Sequence, residues 1–223
     1  MNNRKTSYQF SSGLRWTHWI RAIAIFALTA TGFYLAYVFV APGISDEPVL
    51  FLNAKMRMWH LVFGFLLIAA TIFKIYLFIF DRTSRLERVS FIDFLNPKIW
   101  IAQIKYYLFI GKHPKLRGVY NPLQVVAYGS LYFLVILISI TGLVLYVHSY
   151  HEGLGGFLYD YMRSIEVMMG GLASVREIHH IAMWGILIFV PVHIYMAIFN
   201  SIMGKEGSMD SIISGYKFKK PEN

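Results

Sequence analysis

Ile178-His179-His180-Ile181-Ala182-Met183-Trp184-Gly185-Ile186-Leu187-Ile188-Phe189-Val190-Pro191-Val192-His193-Ile194-Tyr195-Met196-Ala197 is the stretch on which the reading of this chain turns. Three histidines stand among apolar residues, His179 and His180 just before and His193 within a block from Ile181 to Ile202 that is long enough to cross a bilayer. A hydrocarbon core about 30 Å thick needs roughly 20 apolar residues at about 1.5 Å of rise each. Three similar blocks precede it, Trp19 to Val40, Leu61 to Phe80 and Tyr128 to Val147. The 223 residues are 57% hydrophobic and only 15% charged, against roughly 25% charged in a soluble domain. The expectation is an all-α integral membrane protein, a four-transmembrane-helix bundle forming one domain over 1–223. Its spans fall at about 16–40, 57–80, 122–148 and 178–203.

The net charge of +9 is distributed by loop. Arg82, Arg85, Arg88, Lys98, Lys105, Lys112, Lys115 and Arg117 lie between the second and third spans. Arg4, Lys5 and Arg15 precede the first, and Lys205, Lys217, Lys219 and Lys220 follow the fourth. The remaining loops carry Asp46, Glu47, Glu152, Asp160, Glu166 and Glu177 with few cations. By the positive-inside rule both termini and the loop 81–121 face the cytoplasm, and 149–177 faces the other side. The positive charge thus serves orientation and anionic headgroups, not nucleic acid. The first block, about 21 apolar residues long, exceeds a signal-peptide core of about 7 to 15 and is read as a mature helix. Trp16 and Trp19 suit the aromatic belt at an interface. Two amphipathic surface helices are expected in the long loops, over Pro97 to Ile110 with a stop at Gly111, and over Leu154 to Met169 before Gly170-Gly171.

No cysteine is present, which excludes disulfides, thiolate zinc sites, iron–sulfur clusters ligated by this chain and thioether-linked haem. Ionisable groups at membrane depth mark function by default, and here they are mainly histidines. His179 and His193 are separated by about 1400° of helical rotation, within about 40° of four full turns, and by about 21 Å of rise. They share a face at two depths, whereas His180 misses His193 by about 140° and points elsewhere. The topology places His60 level with His179 at the outer end and His18 level with His193 at the inner end. Two stacked histidine pairs without cysteine or intramembrane carboxylate do not make a zinc site, but two axial imidazoles are what a six-coordinate b haem takes. His18 lies at the very start of its span and His193 well inside its own, a mismatch that a backward extension of the first helix towards Gly13 would absorb. His113 reads as solvated, and His148 and His151 as residues of the outer interface. Arg15, Arg21, Arg57 and Arg176 lie near the ligands, where haem propionates or lipid phosphates are partners.

The pattern Arg15-Trp16-Thr17-His18-Trp19, Arg57-Met58-Trp59-His60 with Gly64, and Ile178-His179-His180 leading to Pro191-Val192-His193 resembles the cytochrome b subunit of membrane-bound, quinone-reactive nickel–iron hydrogenases. The resemblance covers nearly the whole chain; the gamma subunits of formate dehydrogenases are more distantly similar. It implies two haem b groups, with His60 and His179 as axial ligands of the outer haem iron and His18 and His193 of the inner. It implies the hydrogenase small (iron–sulfur) and large (nickel–iron) subunits as partners, and a place in the bacterial inner membrane. Electrons would cross to menaquinone or another quinone, with no hydrogen chemistry in this chain. The gamma subunits' Tyr-Asn-x-x-Gln quinone motif is matched by Tyr120-Asn121-Pro122-Leu123-Gln124, which makes Asn121 a candidate quinone residue. Leu123 stands where that motif has glycine, and Asn-Pro is also an ordinary way to start a helix. A formate dehydrogenase anchor is the nearest alternative. A transporter or channel would want broken half-helices in corresponding positions, which are missing. The zinc motif suggested by His151-Glu152 fails at Gly155.

Overall fold

The computed structural model describes residues 6–37, 51–112, 114–204 and 208–218. Arg4, Lys5, residues 38–40 of the first expected span, Asp46, Glu47, His113, Lys205, Lys219 and Lys220 lie outside the described residues. The element order is β1 (Thr6–Tyr8), α1 (Ser12–Tyr37), α2 (Leu52–Phe80), α3 (Arg85–Phe94), α4 (Pro97–Tyr107), α5 (Pro122–Val147), α6 (Leu154–Met168), α7 (Leu172–Gly204), α8 (Ser208–Ser214) and β2 (Tyr216–Phe218). Helices α1, α2, α5 and α7 are long and apolar enough to cross a membrane. The chain is an all-α, multi-pass membrane protein.

Helix α1 packs chiefly on α2, and α5 on α7. At Gly185 of α7 an added Cβ would stand 2.8 Å from Leu134 Cδ1, so the missing side chain is what lets α5 and α7 approach. One residue from each long helix, Ala24, Leu67, Val135 and Ile186, forms the buried apolar centre. Ile186 is seven residues from both His179 and His193, and Leu67 is seven from His60. That spacing is about 10 Å along a helix, so the apolar layer lies midway between the two histidine levels.

Helix ends depart from the apolar blocks because bilayer crossing and helix length are different quantities. Helix α1 starts at Ser12, where Leu14 N donates to Ser11 Oγ at 3.4 Å. Its Ser11 hydroxyl donates onward to Asp81 at the end of α2. Helix α2 begins at Leu52 because Leu52-Asn53-Ala54-Lys55-Met56-Arg57 is mostly good helix former, though too polar to count as membrane span. Asn96 caps α4 by accepting from Lys98 N at 3.1 Å, with Pro97 in the first turn. That helix ends at Tyr107, before the expected stop at Gly111. Phe109 (φ 61) takes the left-handed cap position, and Ile110 N donates to Lys105 O at 2.9 Å. Gly170 (φ 87) and Gly171 (φ 96) end α6 as glycine favours.

Helix α3 was not anticipated. Ser84, Glu87, Ser90 and Asp93 are buried on one side of it, and Leu86, Phe91, Ile92 and Leu95 are exposed on the other. Neither was the joining of the termini. Strand β1 pairs antiparallel with β2, Thr6 opposite Phe218 and Tyr8 opposite Tyr216. Arg15 donates to Ile213 O and Trp19 Nε1 to Ile212 O at 3.4 Å, fastening α8 across the start of α1.

Candidate functional site

The four membrane-level histidines meet in two pairs. The rings of His60 (α2) and His179 (α7) have centroids 6.5 Å apart with planes at 58°. Those of His18 (α1) and His193 (α7) are 6.2 Å apart at 51°. A first-row metal ion binds imidazole nitrogen at about 2.0 Å, so two imidazoles on opposite sides of one ion place their ring centroids about 6 Å apart. Both separations fit a single iron between the rings. The early start of α1 brings His18 level with His193.

The outer pair is held by two threonines that sequence reasoning missed. Thr31 Oγ1 lies 2.9 Å from His60 Nδ1, and Thr141 Oγ1 lies 2.9 Å from His179 Nδ1. Each hydroxyl donates its only proton along its own helix, Thr31 to Ala27 O at 2.8 Å and Thr141 to Leu137 O at 2.9 Å. It can therefore only accept from the histidine, which places the imidazole proton on Nδ1 and leaves Nε2 bare for a metal. Glycine follows each threonine. A Cβ on Gly32 would stand 3.2 Å from His60 Cε1, and one on Gly142 3.5 Å from His179 Cε1. The repeated Thr-Gly was visible in the sequence, but only the fold assigns each copy to a histidine on the neighbouring helix.

The inner pair is held by aromatic rings. Phe189 stacks on His193 at 5.5 Å and Tyr128 meets it edge-on at 5.8 Å, while Trp19 stands edge-on to His18 at 5.4 Å. Among the described residues no hydroxyl serves His18 or His193 as the threonines serve the outer pair. Arg21, one turn beyond His18, donates to Tyr132 Oη at 3.0 Å with its guanidinium 5.3 Å from that ring's centroid.

The remaining candidates fall elsewhere. His180 is exposed beside half-buried His179. His148 caps α5 and donates to Glu166 of α6, which also accepts from Arg163 at 2.6 Å. The bond from His148, then that from Arg163, holds the Glu166 carboxyl below its ordinary range. His151 meets Tyr159 edge-on at 5.7 Å. Arg57 and Arg176 are exposed, and Arg15 is engaged by α8. Asn121 is buried; its Oδ1 accepts from Gln124 N at 2.9 Å and its Nδ2 donates to Tyr107 Oη at 3.0 Å. With Gln124 Oε1 accepting from Asn121 N at 3.0 Å this is a capping box, so the side chain starts α5 and ties it to α4.

The pattern of the prokaryotic cytochrome b561 family matches residues 9–215. Three relatives described as probable Ni/Fe-hydrogenase B-type cytochrome subunits align over almost the full chain. That of Rhizobium leguminosarum bv. viciae is 28% identical over 97% of this chain and 91% of its own length. That of Rhodobacter capsulatus is 26% identical over 98% and 84%, and that of Escherichia coli K12, a hydrogenase 1 subunit, is 26% identical over 98% and 94%. With its facing histidines in a four-span bundle, the chain belongs to the prokaryotic cytochrome b561 family of haem b membrane proteins.

Proposed function

We propose that this chain is the di-haem membrane subunit of a nickel–iron hydrogenase, carrying electrons from the partner's iron–sulfur clusters to a quinone and anchoring the complex. The observation that carries this reading is the pair of facing imidazoles at each of two levels of one bundle. The names of the relatives supply the hydrogenase. His60 and His179 hold one haem b, and His18 and His193 the other. When bound, the two groups supply one-electron transfer between the ends of the bundle. The chain's own part is to fix the ligands, to keep water out of the apolar layer at Ala24, Leu67, Val135 and Ile186, and to present each end to a different partner. The hydrogenase small and large subunits belong at the end with α6, and quinone at the end with the termini. Asn121 fixes the start of α5 and Tyr107, and its second Nδ2 hydrogen remains available to a quinone oxygen. A pyridine haemochrome assay on the purified protein should give about two b haems per chain, and a colourless folded protein would refute the reading.

Orientation is tested separately. Reporter fusions after Lys115 and after Lys217 should report cytoplasm and one near Gly155 the periplasm. A reversed pattern would exchange the roles of the two pairs.

The threonines have their own consequence. A hydrogen bond from Nδ1–H makes an imidazole a stronger electron donor, and loss of such an outer partner costs about 10–100-fold in metal affinity or activity. Thr31→Val and Thr141→Val should therefore each raise the reduction potential of the outer haem and leave the inner one unmoved. Redox titration followed in the visible spectrum checks this; equal shifts at both haems, or none, would remove the threonines' role.

A further inference from the structure

Helix α3 buries its polar side. Ser84 just before it, then Glu87, Ser90 and Asp93, recur every three residues at 0%, 6%, 0% and 1% exposure, while Leu86, Phe91, Ile92 and Leu95 face outward. In water this arrangement would be inverted; beside lipid it turns the apolar face to the bilayer and encloses a polar seam against the rest of the protein. Part of the seam is paired. Glu87 accepts from Lys74 Nζ at 2.7 Å and from Tyr120 Oη at 3.2 Å, and Ser90 Oγ accepts from Tyr120 N at 3.0 Å. Asp93 Oδ2 accepts from Arg117 N at 2.7 Å and Gly118 N at 3.0 Å.

Other atoms of this region are buried without a hydrogen-bond partner among the described residues: Ser84 Oγ, Asp93 Oδ1, and both amide atoms of Gln103 on α4, itself fully buried. A buried polar atom left dry costs about 1–3 kcal/mol, and internal water is the usual remedy. From Glu87 the seam continues inward. The Tyr120 ring meets Tyr128 at 4.9 Å, and Tyr128 meets His193 at 5.8 Å. Burial, and then the charge of Glu87, pushes the Tyr120 phenol well above its ordinary value, so it remains a neutral donor. The charged and titratable groups around Glu87 are Lys74 from α2 and Tyr120 from the loop before α5. Tyr128 and Tyr132 of α5 stand beyond them, and Arg21 and Asp81 act on Lys74.

We propose that the seam behind α3 is a hydrated proton inlet from the aqueous phase at the termini end, with Glu87 as the residue that takes up each proton and passes it towards the inner histidine pair. The proposal rests on the reading of this end as the place of quinone reduction. Converting a quinone to its quinol adds two electrons, arriving by way of the inner pair, and two protons. Glu87, a carboxylate at rest with Lys74 and Tyr120 donating to its two oxygens, takes one proton from seam water for each electron, passes it on and returns to the carboxylate. A fixed ion pair that only fastens α3 to α2 is the competing role.

The test uses the complete membrane-bound complex, with Glu87→Gln, Glu87→Asp and the double variant Lys74→Met with Glu87→Gln. Rates are measured with hydrogen as donor and a short-chain quinone analogue or a soluble dye as acceptor, and infrared difference spectra are recorded on reducing the haems. Native protein should show a carboxyl band that responds to haem reduction and shifts in heavy water. The band should vanish in Glu87→Gln and move in Glu87→Asp. Quinone reduction should fall at least tenfold in Glu87→Gln and in the double variant, and largely return in Glu87→Asp, while haem content, haem reduction and the dye rate stay native. A native quinone rate in either variant lacking the carboxyl, or a band indifferent to Glu87, overturns the inlet. If Glu87→Gln does not fold with Lys74 left unpaired, the double variant and Glu87→Asp decide the matter. Native protein that shows the Glu87 band yet reduces no quinone analogue refutes the quinone reading and leaves the proton inlet standing.

Discussion

On the proposed assignment of two haems per chain, His179→Ala should leave one, while His180→Ala should keep both. The two residues are adjacent in sequence and differ only in phase. His179 faces His60 with its Nδ1 on Thr141, and His180 is exposed on the far side of α7. Removing His179 deletes a proposed axial ligand and strands the Thr141 acceptor, which the alanine methyl cannot serve. His60→Ala should give the same single loss from the opposite side. The surviving haem should keep its native potential, because the apolar layer at Leu67 and Ile186 separates the levels. Haem quantification with redox titration checks all three variants. Loss in His180→Ala, or loss of both haems in His179→Ala with the fold intact, would show that the pairs are wrongly assigned.

Lys74→Met should be the most destabilising single change outside the histidines. Lys74 Nζ and Glu87 Oε2 are 2.7 Å apart, and both side chains are about nine-tenths buried. A buried pair adds little net stability, but removing one partner leaves the other charge uncompensated, at about 3–5 kcal/mol. The methionine keeps the volume and the apolar stem, so the loss reports charge and not packing. Adding Glu87→Gln to Lys74→Met should recover most of it, since neither residue then carries charge. Thermal unfolding in detergent, followed by release of haem, measures both. A single variant as stable as the native protein, or a double variant no better than the single, would mean that the uncompensated charge is not what destabilises the single variant.

The sequence made the four spans legible because bilayer crossing is read from length and apolarity alone. It made the histidine pairs legible because helical phase fixes which of two neighbouring histidines turns inward. Thr31 and Thr141 were hidden for a different reason: each acts on a histidine of another helix, 29 and 38 residues away, and no one-dimensional spacing encodes that distance. Helix α3 was hidden by polarity. Arg85-Leu86-Glu87-Arg88-Val89-Ser90-Phe91-Ile92-Asp93-Phe94 reads as part of a solvated basic loop unless lipid, and not water, is taken as the medium outside it. At Asn121 the geometry adds a helix cap and a bond to Tyr107 to the quinone contact that the motif suggested.

The pairing of β1 with β2 bears on how the protein is made. Thr6–Tyr8 leaves the ribosome more than 200 residues ahead of Tyr216–Phe218, and His18 precedes His193 by 175. Contacts so distant along the chain form late, because the loop between them must be closed first. His179 also comes late, but its partner His60 and its threonine Thr141 are both in place when α7 arrives. The end of the bundle that carries His18 and His193 thus stays open until α7 has followed, and closes when β2 meets β1.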